Sequence, residues 1–201
     1  IAEQIGNEPP QGEKVVPRVV RRVVTPGTVV EAGLLPERAN NYVVSLVVGR
    51  EGCGLAYADV STGEFAVTEF DGRSGALRGP ADELARLQPA EIIVPAREAT
   101  RPDGFAPDGG LPPGFPQAVP VTGFASWHFE EDTAREALLS HFRAGSLDGF
   151  GCAELPMAIR AAGGLLLYLA DTQRDGLRQI TSLRTYSTDE HMVLDSATRR
   201  N

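Results

Sequence analysis

Hydrophobic positions between residues 42 and 70 follow the period of β-strands. The first run, Tyr42–Val48, is β-branched and apolar almost throughout, which is typical of a strand covered on both faces. Gly54–Val60 and Glu64–Phe70 alternate in side-chain size and polarity, as strands do. Short turns rich in Gly, Ser and Thr separate the runs, and loops this short join antiparallel neighbours. The pattern predicts a three-stranded antiparallel meander that other elements must cover.

The pattern after the meander predicts a crossover and more sheet. Pro80–Leu87 has the spacing of a short helix, and Ala90–Val94 that of a strand ended by Pro95. A helix between two strands favours parallel pairing. Residues 95–120 hold seven prolines, which predicts a long irregular loop, either a surface insertion or a binding loop. Strand character resumes over Val121–Phe129, so the fold class is α/β with a mixed sheet flanked by helices.

A second helix is predicted over residues 133–143. Thr133 and Glu136 have the spacing of a capping box at its start. We expect one face of this helix to pack on the sheet, and that face consists of Ala134, Leu138 and Phe142.

The longest helix is predicted over residues 156–174, with Gly176 as its C-terminal cap. Gly163 and Gly164 lie inside it, where each glycine costs about 1 kcal/mol relative to alanine. A close crossing by a neighbouring helix would explain these two small residues.

The N-terminal part carries a basic stretch that begins just before a predicted strand, Val15–Val24, and continues through it. Four cations occur there with no acidic residue between them: Lys14, Arg18, Arg21 and Arg22. They form either a patch near DNA phosphate or the solvated edge of a strand, because four charges without aromatic residues are a small footprint.

Composition narrows the possible functions. The net charge of the 201 residues is −8, which excludes polyanion binding by bulk charge. Cys53 and Cys152 are far apart, which indicates small buried side chains in a reducing cytosol rather than a disulfide scaffold. No apolar run is long enough to span a bilayer and no signal peptide opens the chain, so we expect a cytoplasmic protein without membrane association. We also expect that both ends were cut from a longer chain.

Two kinds of binding site find no support in the sequence. A phosphate-binding loop needs Gly-Lys followed by Ser or Thr, and the single lysine follows Glu13. The three histidines and two cysteines show no zinc-ligand spacing. We therefore predict neither a cofactor nor a metal site in this chain.

Three separated segments carry a resemblance to a known family. Residues 54–65 read Gly-Leu-Ala-Tyr-Ala-Asp-Val-Ser-Thr-Gly-Glu-Phe, residues 24–28 read Val-Thr-Pro-Gly-Thr, and residues 192–201 read Met-Val-Leu-Asp-Ser-Ala-Thr-Arg-Arg-Asn. Together they resemble the MutS family of DNA mismatch-repair proteins. The resemblance implies that residues 1–28 are the tail of the mismatch-binding domain with its link. It makes residues 29–155 the connector domain, and residues 156–201 a closing helix with the start of the core domain.

The resemblance also implies a fold and a role. The connector of this family has a ribonuclease H-like fold. The parent binds mismatched DNA as a homodimer, uses ATP and Mg²⁺ in a domain further along the chain, and recruits MutL. A MutL-like partner would dock on the outward face of the helix at 133–143, and the residues we expect there are Arg135, Glu136, Leu139, Ser140 and Arg143.

A ribonuclease H-like fold raises one alternative, a metal-dependent nuclease or resolvase. Such enzymes place two or more carboxylates at strand ends to hold Mg²⁺. Tyr42–Val48 has no carboxylate, and Asp59 has no evident partner, so we interpret Asp59 as a turn-forming residue beside Ser61.

Overall fold

A computed structural model provides the structure of this chain. It describes residues 2–4, 18–20, 41–49, 52–72, 78–96, 115, 118–173 and 176–188. Near the N-terminus, β1 (Ala2–Gln4) pairs antiparallel with β2 (Arg18–Val20). The strand predicted over residues 15–24 is therefore present over three residues of the part that the structure describes.

The predicted meander is confirmed as the centre of a six-stranded sheet. It consists of β3 (Val43–Val48), β4 (Gly52–Asp59) and β5 (Glu64–Asp71), each antiparallel to the next. In the ladder Leu55 lies opposite Leu46 on one side and Thr68 on the other. Side chains of β3 are buried on both faces, as its apolar run predicted.

Parallel strands extend the meander on both sides, and the strand order is β7-β6-β3-β4-β5-β8. Next to β3 lies β6 (Glu91–Ala96), which confirms the parallel crossover, and β7 (Val121–Ala125) lies beyond it. At the other edge, β8 (Arg184–Thr185) pairs with β5.

Two strand ends differ from the prediction. β6 continues past Pro95, because its ladder with β3 ends at Ile93 and the missing N–H of proline leaves no β3 carbonyl unpaired. β7 stops at Ala125, and a 3₁₀ helix, Ser126–Phe129, follows it.

Helices cover both faces of the sheet. α1 (Arg78–Leu87) places Leu84 and Leu87 against one face. α2 (Glu131–Phe142) and α3 (Pro156–Thr172) belong to the core on the other face. Most of the apolar surface of the described residues is therefore divided between two layers of core, one on each side of the sheet.

The start and the packing of α2 correct the sequence analysis. The helix begins at Glu131, with Glu130 as N-cap and no side-chain cap hydrogen bond, so Thr133 does not open a capping box. Acidic residues in the first turn suit the helix dipole without such a cap. The helix packs chiefly on α3 rather than on the sheet, and it reaches the sheet where Phe142 stacks on Phe65 with ring centroids 6.3 Å apart.

The predicted close crossing of α3 is confirmed. A Cβ atom on Gly163 would overlap Cα and Cβ of Ala134 in α2, and one on Gly164 would overlap the ring of Phe129. The end of α3 differs from the prediction: the helix ends at Thr172 with Gln173 as C-cap, and Gly176 starts a separate 3₁₀ helix, Gly176–Gln179.

Some predictions concern residues outside the described part of the chain. These are residues 29–40 at the start of the predicted connector domain, most of the Pro-rich loop at 95–120, and the segment from 189 to 201. Among the described residues, none of the helices has the length and apolarity needed to cross a membrane.

Candidate partner-docking surface

The docking surface predicted from the sequence lies on α2, which has a buried and an exposed side. Ala134 and Leu138 are fully buried against α3. On the other side, Glu136, Ser140 and Arg143 are exposed. The close crossing at Gly163 fixes the helix in place, so these three side chains are presented from a rigid element.

Arg135 is tied to its surroundings. Its Nη2 donates to Glu131 Oε1 over 2.8 Å, an i, i+4 ion pair, and to the carbonyl oxygen of Ala153 over 3.4 Å. The Arg135 side chain is 34% exposed. Leu139 is half-buried and packs against the core.

Arg135 and Leu139 line a groove of about 570 Å³ between α2 and the loop that follows it. The groove is lined by Glu131, Arg135, Leu139, Gly145, Ser146, Leu147, Asp148, Ala153, Glu154 and Pro156. We predicted all five docking residues on one outward face, but the structure places three outward and two in this groove. Helical periodicity could not reveal this, because the groove is formed by a loop that returns to α2.

The C-terminal end of α2 places Arg143 at the edge of the exposed face. Arg143 adopts a left-handed conformation, with φ 51° and ψ 40°, and ends the helix. Its N–H donates to the carbonyl oxygen of Ser140 over 3.4 Å. The exposed face thus carries an acid, a hydroxyl and a base over about two helical turns.

Asp59 has the turn-forming role that the sequence predicted. Its Oδ1 accepts hydrogen bonds from the N–H and the hydroxyl of Ser61 over 2.8 and 2.6 Å. Its carbonyl oxygen accepts from the N–H of Gly63 over 2.8 Å. Within the described ranges, no group of three or more His, Cys, Asp or Glu side chains is placed to hold a metal ion.

The two cysteines are free and buried, as predicted. Burial, with a smaller contribution from the nearby Glu69 carboxylate, raises the pKa of the Cys53 thiol to about 12. Burial also raises the pKa of Cys152. Neither thiol has the lowered pKa of a reactive cysteine.

The model of MutS domain II matches residues 41–183. The chain belongs to the MutS family. The match covers five strands of the six-stranded sheet, β3 to β7, and the described helices α1, α2 and α3, and it ends one residue before β8. The resemblance inferred from three short segments is therefore confirmed.

Individual relatives agree with the MutS assignment. The chain is 40% identical over 205 residues to a DNA mismatch repair protein MutS of Synechococcus elongatus, covering all of this chain and 23% of the relative. It is 40% identical over 201 residues to a MutS of Dehalococcoides mccartyi, covering all of this chain and 21% of the relative. It is 41% identical over 204 residues to a MutS of Thermosynechococcus vestitus, again covering all of this chain and 23% of the relative. The chain thus spans less than a quarter of the length of these MutS relatives.

The second candidate site of this MutS chain, a DNA-phosphate contact, stays a prediction. Arg18 begins β2. Lys14, Arg21 and Arg22 lie outside the described residues.

Sequence reasoning missed one surface feature. Trp127 is the large hydrophobic side chain that the described residues leave exposed, at 56%. The ring centroids of Trp127 and His128 are 3.5 Å apart, and the His128 ring stacks on Phe124 with a centroid distance of 3.9 Å. The sequence predicts strand character over Val121–Phe129, which includes Trp127. Strand alternation gives no signal for an aromatic stack that forms across the junction of a strand and a 3₁₀ helix.

Proposed function

We propose that this chain is the connector of a longer MutS-like mismatch-repair protein. In this proposal the parent is a homodimer that binds mismatched DNA, and it holds ATP and Mg²⁺ in a domain outside this chain. The connector has no catalytic or cofactor role of its own and relays between neighbouring domains. The match to MutS domain II and the similarity to DNA mismatch repair proteins MutS support it. No contact among the described residues favours the nuclease alternative.

We further propose a ribonuclease H-like fold for the connector. An antiparallel meander followed by a parallel crossover strand supports this assignment. We keep residues 1–28 as the tail of the mismatch-binding domain with its link. Because α3 packs on β3, β4 and β5 of the sheet, we include the closing helix in the connector and keep the start of the core domain in the residues that follow β8.

The function specific to this chain is the docking of a MutL-like protein on α2. The observation that carries this proposal is the exposed face of Glu136, Ser140 and Arg143 on a helix whose opposite side is fixed against α3. A small, polar surface of mixed charge suits a transient contact. Arg135 and Leu139 extend this surface into the adjoining groove.

A double charge reversal tests the docking surface. Glu136→Lys combined with Arg143→Glu reverses both exposed charges and leaves the net charge unchanged. It spares Arg135, whose reversal would also break the ion pair to Glu131 and place two carboxylates one helical turn apart. Stability should change by less than about 0.5 kcal/mol, as for most exposed substitutions. We expect the affinity for the MutL-like protein, measured by biolayer interferometry with the immobilised 201-residue chain, to fall at least about tenfold.

The matched control reverses an exposed pair on α1. Arg78 and Asp82 form an i, i+4 pair with side chains 93% and 78% exposed, on the opposite face of the sheet from α2. Exchanging them (Arg78→Asp with Asp82→Arg) also preserves the net charge and should leave capture unchanged. Equal capture by the α2 variant and the unmodified chain, with both folded by circular dichroism, would remove α2 as the docking surface.

A further inference from the structure

The last described residues pass from one face of the sheet to the other. Leu183 is buried in the core shared with α2 and α3, whereas Tyr186 packs against the core shared with α1. Between them, Arg184 and Thr185 form β8 along the outer edge of β5. Residues 183–186 therefore form a strap across this edge, and we use that name for them below.

Backbone hydrogen bonds and the Thr185 side chain hold the strap against β5 and the loop at Phe150. Arg184 and Thr185 lie beside Ala66 and Val67 in the parallel ladder. The N–H of Tyr186 donates to the carbonyl oxygen of Val67 over 3.0 Å. The Thr185 hydroxyl donates to the carbonyl oxygen of Phe150 over 2.7 Å.

Two side chains of the strap connect it to α1 and the meander. The Tyr186 hydroxyl donates to Glu83 Oε1 of α1 over 2.7 Å, and the same carboxylate pairs with Arg86 at 2.6 Å. Burial and this carboxylate raise the pKa of Tyr186 far above its usual value, which keeps the hydroxyl a donor.

Arg184 reaches in the other direction. Its Nη2 donates to the Tyr57 hydroxyl over 3.1 Å, and that hydroxyl donates to Glu64 Oε1 over 2.9 Å. The Arg184 guanidinium also lies 5.5 Å from the ring centre of Tyr186, so the two side chains support each other.

The strap has far fewer contacts than the strands beside it. Its ladder consists of two residue pairs, whereas β4 and β5 share eight. The Arg184 side chain is 62% exposed, and its ion pair to Glu64 is long, at 3.8 Å. Segments held by few buried contacts open locally at a lower free energy than global unfolding requires.

We propose that the strap is a releasable conformational element that sets how the chain leaves the sheet. In the docked state, the hydrogen bonds from Tyr186 to Glu83 and from Arg184 to Tyr57 fix the path of the chain up to Thr188. In the released state, the chain beyond Leu183 is detached from α1 and β5 while the sheet and α3 remain folded. The contact between the strap and α1 thus determines the direction in which the chain leaves the sheet. This inference does not require the α2 surface to bind a partner.

Hydrogen–deuterium exchange of the 201-residue chain, read by mass spectrometry, tests the proposal. Tyr186→Phe removes the hydroxyl that donates to Glu83 and retains the ring. We expect exchange of the peptide covering residues 183–188 to accelerate about tenfold, the effect of losing a hydrogen bond to a charged group. Peptides from β4 and α3 should exchange as in the unmodified chain. Arg184→Gln should accelerate the same peptide and provides a second route if Tyr186→Phe folds poorly.

The matched control is Tyr168→Phe. The Tyr168 hydroxyl also donates to a carboxylate, Glu91 Oε1, over 2.8 Å, but Tyr168 lies in α3 and Glu91 in β6, and neither belongs to the strap or to the side chains that hold it. This variant should leave exchange at residues 183–188 unchanged. Two outcomes overturn the proposal: no acceleration in either strap variant, or equal acceleration in the strap, β4 and α3, which would make the strap part of the global folding unit.

Discussion

Buried polar side chains tie the elements of this chain together residue by residue. Glu91 is 1% exposed and accepts hydrogen bonds from the hydroxyls of Thr122 and Tyr168 over 2.7 and 2.8 Å. It lies in β6, while its two donors lie in β7 and α3. A buried carboxylate needs such donors to offset its lost hydration, so this one residue holds two strands and the central helix in a fixed relation.

Cys53 makes the fold less stable at alkaline pH. Burial raises its pKa from 9.0 to about 12, so the folded chain keeps the proton that the unfolded chain loses. This contribution is complete below pH 9 and disappears as the pH rises towards 12. We expect the unfolding free energy to fall steeply above about pH 9, with Cys53 contributing about 1.4 kcal/mol per pH unit.

Urea unfolding at a series of pH values up to about 11 measures this contribution. In Cys53→Ala the unfolding free energy should fall less steeply above pH 9 than in the unmodified chain. It should still fall to some extent, because the pKa values of Cys152, Tyr57 and Tyr186 are also raised. Identical slopes in both chains would contradict the assignment of this titration to Cys53.

At the scale of elements, the sequence predicts those helices and strands whose hydrophobic residues recur at a regular spacing. Most residues of the meander and of α3 are buried, so their patterns are unambiguous, and the structure confirms both elements. β8 has two residues and therefore no period to detect. The start of α3 is also fixed from a distance, since Glu69 Oε2 of β5 accepts from the N–H of Ala158 over 2.9 Å. Contacts of this kind join residues far apart in sequence, and local patterns do not reveal them.

The crossing of α2 and α3 depends on a missing side chain. Gly163→Ala would improve helix propensity by about 1 kcal/mol. The added Cβ would overlap backbone and side-chain atoms of Ala134, and overpacking of this kind costs about 1–3 kcal/mol or more. Because the colliding atoms are mostly backbone and cannot rotate away, we expect a net loss of about 1–2 kcal/mol in urea unfolding.

Gly145→Ala is the control for this substitution. Gly145 is exposed in the loop after α2, and a Cβ there would meet no atom within 4 Å. Its unfolding free energy should stay within about 0.5 kcal/mol of the unmodified chain. A Gly163→Ala chain as stable as this control would show that the two helices can separate without cost.

The docking surface shows the limit of sequence reasoning about sites. Helical periodicity assigned Glu136, Ser140 and Arg143 to the exposed side of α2, and they are exposed. It could not show that Arg135 faces a loop, since that loop lies about 10–20 residues further along the chain. The i, i+4 pair of Arg135 with Glu131 was missed for another reason, because the predicted helix began at residue 133 and left Glu131 outside it. A plausible face can thus be derived from one helix, but its boundaries require the tertiary structure.

At the scale of the whole molecule, charge limits the DNA binding that we expect of this chain. The net charge is −8, and the one basic stretch offers Lys14, Arg18, Arg21 and Arg22. Four cations can neutralise at most about four phosphates, which supports only weak, salt-dependent binding. We find no aromatic residue in that stretch to stack on a base, so we expect no preference for a mismatch.

Fluorescence anisotropy with matched and mismatched duplexes tests both expectations at about 150 mM salt, where phosphate contacts are partly screened. Both duplexes should bind equally weakly, and binding should strengthen on dilution of the salt. Replacing the four cations by glutamine should abolish the residual binding, because no phosphate contact from this stretch remains. The salt dependence should disappear with it, since each phosphate contact contributes about −0.9 to the slope of log K against log salt. A mismatch preference of tenfold or more, about 1.4 kcal/mol, would show that this chain reads bases itself, and the connector could then no longer be regarded as only a relay.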